Sequence, residues 1–199
     1  MTARSICPIL LAAGQSRRFG SDKLLHVMSY QSEAKPLILH ALNPWLEVFP
    51  QVNVVIRADN TALLNLLSQS PFSSRLTLIT AENAHKGMAA SLVRGIKANQ
   101  QADGWLVGLA DMPFIQSPVI AESQALLQEG AAITQPEYNG RRGHPVGFAA
   151  AFLPQLLALN GDKGARDILS VYAGQILLIN SPDEGIYRDI DTVNDITDV

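Results

Sequence analysis

Residues 10–23 read Leu10-Leu11-Ala12-Ala13-Gly14-Gln15-Ser16-Arg17-Arg18-Phe19-Gly20-Ser21-Asp22-Lys23. An apolar run, Ile6–Ala13, stops at Gly14 and gives way to a polar loop that carries Arg17, Arg18, Gly20 and Lys23. That order is expected of a buried strand handing over, at its carboxyl end, to a phosphate-handling loop. Gly14 lets the backbone turn sharply and lets a bulky anion approach the main-chain N–H groups. Arg18 can offer a bidentate fork and Lys23 a compact point charge to phosphate oxygens. The chain is net acidic, at −3, yet three of its fifteen basic residues fall within positions 17–23. A local positive site in an acidic protein points to a small anionic ligand. A nucleic-acid backbone would ask for a broad basic face.

The same alternation continues along the chain. Short β-branched runs at Ile6–Ala12, Val52–Ile56, Leu76–Thr80, Gly104–Leu109, Ala132–Gln135 and Ile176–Ile179 read as strands. Between them, Pro36–Phe49, Asn60–Ser68, Met88–Asn99 and Pro118–Glu129 read as helices, with Leu63, Leu64 and Leu67 on one helical face. A further amphipathic segment, Ala165–Tyr172, follows the polar loop Gly161–Arg166. Strands alternating with helices imply an α/β fold: a three-layer α/β/α arrangement around a mostly parallel sheet. Ligands in such folds bind beyond the carboxyl ends of the strands, which places the Gly14 loop, the Gly87 loop and the turn at Asp111 on one rim. Around 137–147 the alternation breaks. Asn139-Gly140 is a turn signal, and Arg141-Arg142-Gly143-His144-Pro145 is too polar for a core element, so a hairpin or flap laid over the sheet is expected there.

Bulk properties bound the rest. A chain of 199 residues, 47% hydrophobic and 17% charged, suits one domain with a substantial core and leaves disorder unexpected. The single cysteine, Cys7, lies inside the first apolar run, so it reads as a packing residue. Ile6–Ala13 is too short for a secretory signal and runs into Arg17-Arg18 instead of a small-residue cleavage site. No apolar stretch approaches the roughly 20 residues of a membrane span. The expected setting is cytoplasmic, with neither membrane nor nucleic acid as partner.

Two stretches offer carboxylates. In Leu109-Ala110-Asp111-Met112-Pro113 an acidic side chain directly follows a strand, and Pro113 turns the chain outward. Such a residue can hold a hard cation beside substrate phosphates or cap its own turn. In Tyr187-Arg188-Asp189-Ile190-Asp191-Thr192, the two carboxylates alternate around Ile190, so an extended backbone points both to the same face. Thr192 then reads as the N-cap of a short terminal helix, with Asp195 three residues on.

The string Leu-Ala-Ala-Gly-x-Ser-x-Arg-x-Gly-x-x-Lys over residues 11–23 resembles the signature of molybdopterin nucleotidyltransferases, a group akin to sugar-nucleotide pyrophosphorylases. Neither Gly-x-x-x-x-Gly-Lys-Ser/Thr nor Gly-x-Gly-x-x-Gly occurs in this loop. Three more segments resemble the family's motifs in the same order. Gly87-Met88-Ala89-Ala90-Ser91-Leu92 is similar to its Gly-Met-Gly-x-Ser-Leu loop, with Ala89 in place of the second glycine. Leu109–Pro113 is similar to its metal-binding turn. Asp189–Asp195 is similar to its Asp-Ile-Asp-Thr-Pro segment, with Val193 where proline is usual.

The resemblance implies a nucleotidyltransferase fold and the transfer of a nucleoside monophosphate to a phosphorylated acceptor with release of pyrophosphate. It implies Mg²⁺ on Asp111 and Asp191, with Asp189 as the alternative second ligand. Ala12, Ala13, Gly14, Arg18, Lys23, Gly87 and Ser91 would bind the nucleotide, and Lys23, Arg18 and Asp111 would carry catalysis. Gly143-His144-Pro145 resembles the cytidylyltransferase branch, which favours CTP and molybdopterin and puts Arg142 and His144 near the acceptor. GTP, a sugar or alditol phosphate, or a cofactor-binding protein without catalysis remain as alternatives. Contact with a molybdoenzyme or its maturation factor would follow from the favoured acceptor.

Overall fold

The computed structural model describes residues 4–16 and 18–197; Arg17 and the outermost residues of both ends lie outside the described set. Strand β1 (Ile6–Ala12) is buried at all seven positions. It sits between β4 (Val52–Arg57) and β6 (Gly104–Leu109), parallel to both. A strand covered on both faces has no polar side to show, which is why the run is apolar throughout. Its side chains still divide by parity. Leu10 and Ala12 enter one core, while Cys7, Ile9 and Leu11 enter the other.

Among the described residues one eight-stranded sheet runs in the order β10-β7-β9-β6-β1-β4-β5, with β8 paired to β7. The remaining strands are β5 (Leu76–Ala81), β7 (Ile133–Tyr138), β8 (Arg141–Arg142), β9 (Val146–Ala149) and β10 (Ile176–Asn180). Helices α1 (Leu37–Val48), α2 (Thr61–Gln69) and α4 (Ser117–Glu129) cover the first core. Helices α3 (Met88–Ala98), α5 (Leu153–Leu157) and α6 (Arg166–Val171) cover the second. The α/β/α layering and the mostly parallel sheet expected from the alternation are therefore present. Gly108 contributes by lacking a side chain: a Cβ there would overlap the Trp45 ring, which lies fully buried against β6.

Two differences from the sequence expectation are physical. The region around 137–147 is only half a hairpin. Asn139-Gly140 does turn the chain back, so that Arg141 and Arg142 pair with Tyr138 and Glu137. From Gly143 onward, however, the chain enters the sheet. β9 lies antiparallel between β6 and β7, with Val146, Gly147 and Phe148 buried. The chain past Gly143 thus joins the sheet at Val146 instead of lying over it. The second difference is a small hairpin of β2 (Val27–Tyr30) and β3 (Glu33–Pro36). Its turn residues, Gln31 and Ser32, both adopt left-handed φ, at 51° and 66°.

Candidate active site

The carboxyl ends of β1, β4 and β6 meet on one rim, and each contributes a polar group. The Gly14 loop leaves β1, and Arg57 ends β4. The Arg57 guanidinium donates to the Gly14 carbonyl at 3.1 Å and pairs with Asp59 at 2.9 Å, fixing the loop from the side. Asp111 follows β6. The C-terminal segment returns beside it because Ile190 is fully buried and its N–H donates to the Asp111 carbonyl at 2.9 Å. With that anchor in place, Asp111, Asp189 and Asp191 bring one carboxylate oxygen each to within 4.8 Å of one another.

Asp195 holds the turn that follows. Its carboxylate accepts from the Asp191 and Thr192 N–H groups at 2.8 and 2.6 Å, and from the Thr192 hydroxyl at 3.0 Å. Thr192 donates its N–H and its hydroxyl to Asp195, and the helix α7 (Asn194–Thr197) begins two residues later. A carboxylate can accept three donors at once, as Asp195 does here. Hydrogen bonds from Thr192 hold the Asp195 carboxyl below its usual range.

Lys23 stands among the carboxylates. Its Nζ lies 2.8 Å from Asp111 Oδ2 and 3.0 Å from Asp191 Oδ1, and its side chain is only 8% exposed. Burial alone would lower its pKa, but the two carboxylates outweigh that and raise it. Arg18 reaches the other Asp191 oxygen at 2.9 Å from a far more exposed position. Asp189 makes neither of these two pairings, and burial raises its carboxyl above the usual range, with Asp191 and Asp111 adding to the effect. Lys23 is placed by the short 3₁₀ turn Lys23–Leu25, capped by Asp22, which also accepts from Asn60 Nδ2 at 2.5 Å. Its own N–H donates to Ser16 Oγ at 3.3 Å, joining it to the Gly14 loop.

Two clefts open onto this cluster. The first, about 360 Å³, lies between the Gly14 loop and the start of α3; Ala13, Gly14, Gly87, Ser91, Asp111 and Asp162 line it. The second, about 400 Å³, is bounded by Arg141, Arg142, His144, Lys163, Arg166 and Asp189. Leu11, Met88, Leu109 and Asp162 face both. Gly87 sits at φ 112°, ψ 173°, against the Gly161–Asp162 loop, and Gly161 accepts from the Ala89 N–H at 3.2 Å. Burial lowers the His144 pKa, opposed by a hydrogen bond to the Val107 carbonyl, so the imidazole is neutral at pH 7. Of the expected nucleotide set, Ala13, Gly14, Gly87 and Ser91 line the first cleft, Ala12 lies in the core, and Lys23 and Arg18 line neither cleft but meet at the carboxylate cluster.

Residues 8–176 match the MobA-like NTP transferase domain family. The chain belongs to that family. Among its relatives is the purine catabolism protein PucB of Bacillus subtilis strain 168, 30% identical over 190 residues that span 92% of this chain and 90% of PucB. Another is the nicotine blue oxidoreductase of Paenarthrobacter nicotinovorans, 26% identical over 194 residues, 93% of this chain and 91% of that one. The crystal structure of Rv0371c from Mycobacterium tuberculosis H37Rv superposes with a TM-score of 0.79 over 99% of this chain and 98% of its own, at 22% identity.

Three residues of the candidate site have no assigned role in the sequence motifs that point to it. Arg57 ends a strand on the rim where ligands bind, and that position was a usable signal. Asp162 sits in a loop that reads as solvated. Asp195 was read as part of a capping network, without its role in holding Asp191.

Proposed function

We propose that the protein transfers CMP from CTP to a molybdopterin-type acceptor and releases pyrophosphate. One observation carries the reading: the carboxylate cluster stands where the two clefts meet, Asp111 on the wall of the first and Asp189 on the wall of the second. A nucleotide in the first cleft and a phosphorylated acceptor in the second would bring their reacting groups together there. In the transfer, an acceptor phosphate oxygen forms a bond to the α-phosphorus, and the bond from that phosphorus to the bridging oxygen of the leaving pyrophosphate breaks. Positioning and charge neutralisation dominate such reactions, so no protein nucleophile is required.

The chain's residues supply both. The Gly14 loop and Ser91 border the nucleotide. Lys23 and Arg18 would meet charge as it accumulates on the leaving group. Arg142 and His144 border the acceptor, where Arg141, Lys163 and Arg166 add positive charge suited to its phosphate. Asp111, Asp189 and Asp191 offer the hard oxygen set that Mg²⁺ prefers and would hold it, and the ion would supply positive charge to offset that of the phosphates. The cytidine and molybdopterin preferences rest on the Gly143-His144-Pro145 and Leu109–Pro113 segments, which resemble the cytidylyltransferase branch. A cytoplasmic setting and delivery of the product to a molybdoenzyme or its maturation factor accord with that acceptor.

Pyrophosphate release, measured over a panel of CTP, GTP and ATP against molybdopterin and an alditol phosphate, tests the proposal. CTP with molybdopterin is expected to lead, and Arg142→Ala to raise the KM for molybdopterin while leaving that for CTP near its wild-type value. Preference for GTP, or for the alditol phosphate, overturns the assignment of substrates. Release with no pair overturns the transfer itself.

A further inference from the structure

Lys23 takes up an oxygen of Asp111 and an oxygen of Asp191, two of the three groups suited to a cation. With Arg18 on the second Asp191 oxygen, Asp191 has a positive partner on both of its oxygens. A divalent ion approaching the cluster would meet an ammonium already seated between the two carboxylates and shielded from solvent. The lysine therefore acts as a resident counter-ion. It lets three carboxylates approach closely, and a cation would have to share Asp111 and Asp191 with it.

We infer that Lys23 makes cation binding depend on the nucleotide: it holds the carboxylates until a triphosphate draws its ammonium away. The inference rests on the transfer reading given above and adds an order to it. Three features fit a side chain that swings on a fixed base. The backbone of Lys23 is pinned by the Asp22 cap and by its N–H to Ser16 Oγ. The carboxylates are pinned independently, by Ile190 and Asp195. Ser16 and Gly14 line the nucleotide cleft itself, so the anion that would attract the ammonium arrives beside its hinge. The ammonium is free to pivot about a flexible four-carbon stem, as a rigid guanidinium fork is not. By reciprocity, whatever the nucleotide gains from Lys23 on release is coupled to whatever the cation gains from the vacated carboxylates.

The test is a Mn²⁺ titration of the nucleotide-free protein, read by the electron paramagnetic resonance of free Mn²⁺. Wild type is expected to bind weakly. Lys23→Met removes the charge at similar length and is expected to bind Mn²⁺ at least tenfold more tightly, a gain that Asp111→Asn added to it abolishes. Lys23→Arg keeps the charge and is expected to remain weak. Lys23→Gln carries the same test if Lys23→Met does not fold, and melting temperature with and without Mn²⁺ gives a second reading, since the cation is expected to raise it more in the neutral variants than in wild type. Mn²⁺ binding no tighter in a folded neutral variant than in wild type overturns the inference. Failure of pyrophosphate release would instead end the transfer reading and leave the Mn²⁺ result standing.

Discussion

Gly87→Ala separates what the Gly87 turn does for the fold from what it does for the site. Gly87 is held at φ 112°, ψ 173°, a region essentially closed to residues with a Cβ, and occupying it costs about 1–3 kcal/mol. The new methyl group would also overlap the Gly161 carbonyl and the Asp162 carboxylate, and the first is backbone that cannot simply rotate aside. Moving that loop breaks the hydrogen bond from the Ala89 N–H to the Gly161 oxygen, worth a further ~1 kcal/mol. Together these come to roughly 2–4 kcal/mol, or a fall in melting temperature of about 5–15 °C for a chain of this size. Gly161→Ala is the control. Gly161 also has a left-handed φ, 74°, but a Cβ there meets nothing within 4 Å, so only a backbone cost near 1 kcal/mol applies. Calorimetry of both variants measures the difference, and CTP titration measures the displacement of Asp162 from the cleft wall. Equal melting temperatures for the two variants would refute the steric argument, and unchanged CTP affinity in Gly87→Ala would refute the link to the nucleotide cleft.

Arg57→Met is expected to leave the melting temperature nearly unchanged, since its ion-pair partner Asp59 is largely solvated and the Met stem can keep the packing of the arginine stem, while raising the KM for the triphosphate severalfold by freeing the Gly14 carbonyl; equal effects on acceptor and triphosphate would count against a role in the loop. Asp195→Asn is expected to lower stability at neutral pH, and urea titrations over pH 2–7 check the sign. The folded pKa of Asp195 is depressed, so its contribution is full above the unfolded value, about 3.9, and is lost as pH falls through the folded value; wild type and variant should converge in acid. The Cys7 thiol is pushed up to about 12 by burial, so iodoacetamide at pH 9 should label it only in denaturant, and prompt labelling of the native protein would contradict its placement between β4 and β6.

The parallel strands were legible because burial on both faces demands continuous apolar runs, and β1 and β6 have them. Beyond those runs the signals fade for identifiable reasons. β9 is only four residues long, contains Gly147 and follows closely on the polar run Arg141–Pro145, so it is too short to announce itself as a strand. It becomes a strand because β6 and β7 leave a slot between them, which is tertiary information. The hairpin of β2 and β3 turns on Gln31-Ser32 at left-handed φ, without the Asn-Gly or Asp-Gly that usually announces such a turn. At the site, the alternation of Asp189 and Asp191 around Ile190 was readable, and so was the strand-end position of Asp111. Their separation was not, because it depends on the Ile190 N–H reaching a carbonyl some eighty residues away in the chain.

That long-range hydrogen bond explains why the carboxylates can stand so close. Three acidic groups within 4.8 Å repel one another, and each would move apart if its backbone allowed it. Here the backbone does not. Ile190 is locked in the first core between the two aspartates, Asp195 draws in the N–H groups just beyond them, and Asp111 is held at the end of a fully paired central strand. The repulsion is therefore borne by the fold and relieved by Lys23. Any ligand that replaces the ammonium with a greater positive charge relieves it further. Such a ligand binds the folded chain and not the unfolded one, so its affinity and the stability of the fold rise together. The carboxylates that would hold a cation are thus the ones that repel one another, and Lys23 is the group that keeps that repulsion tolerable.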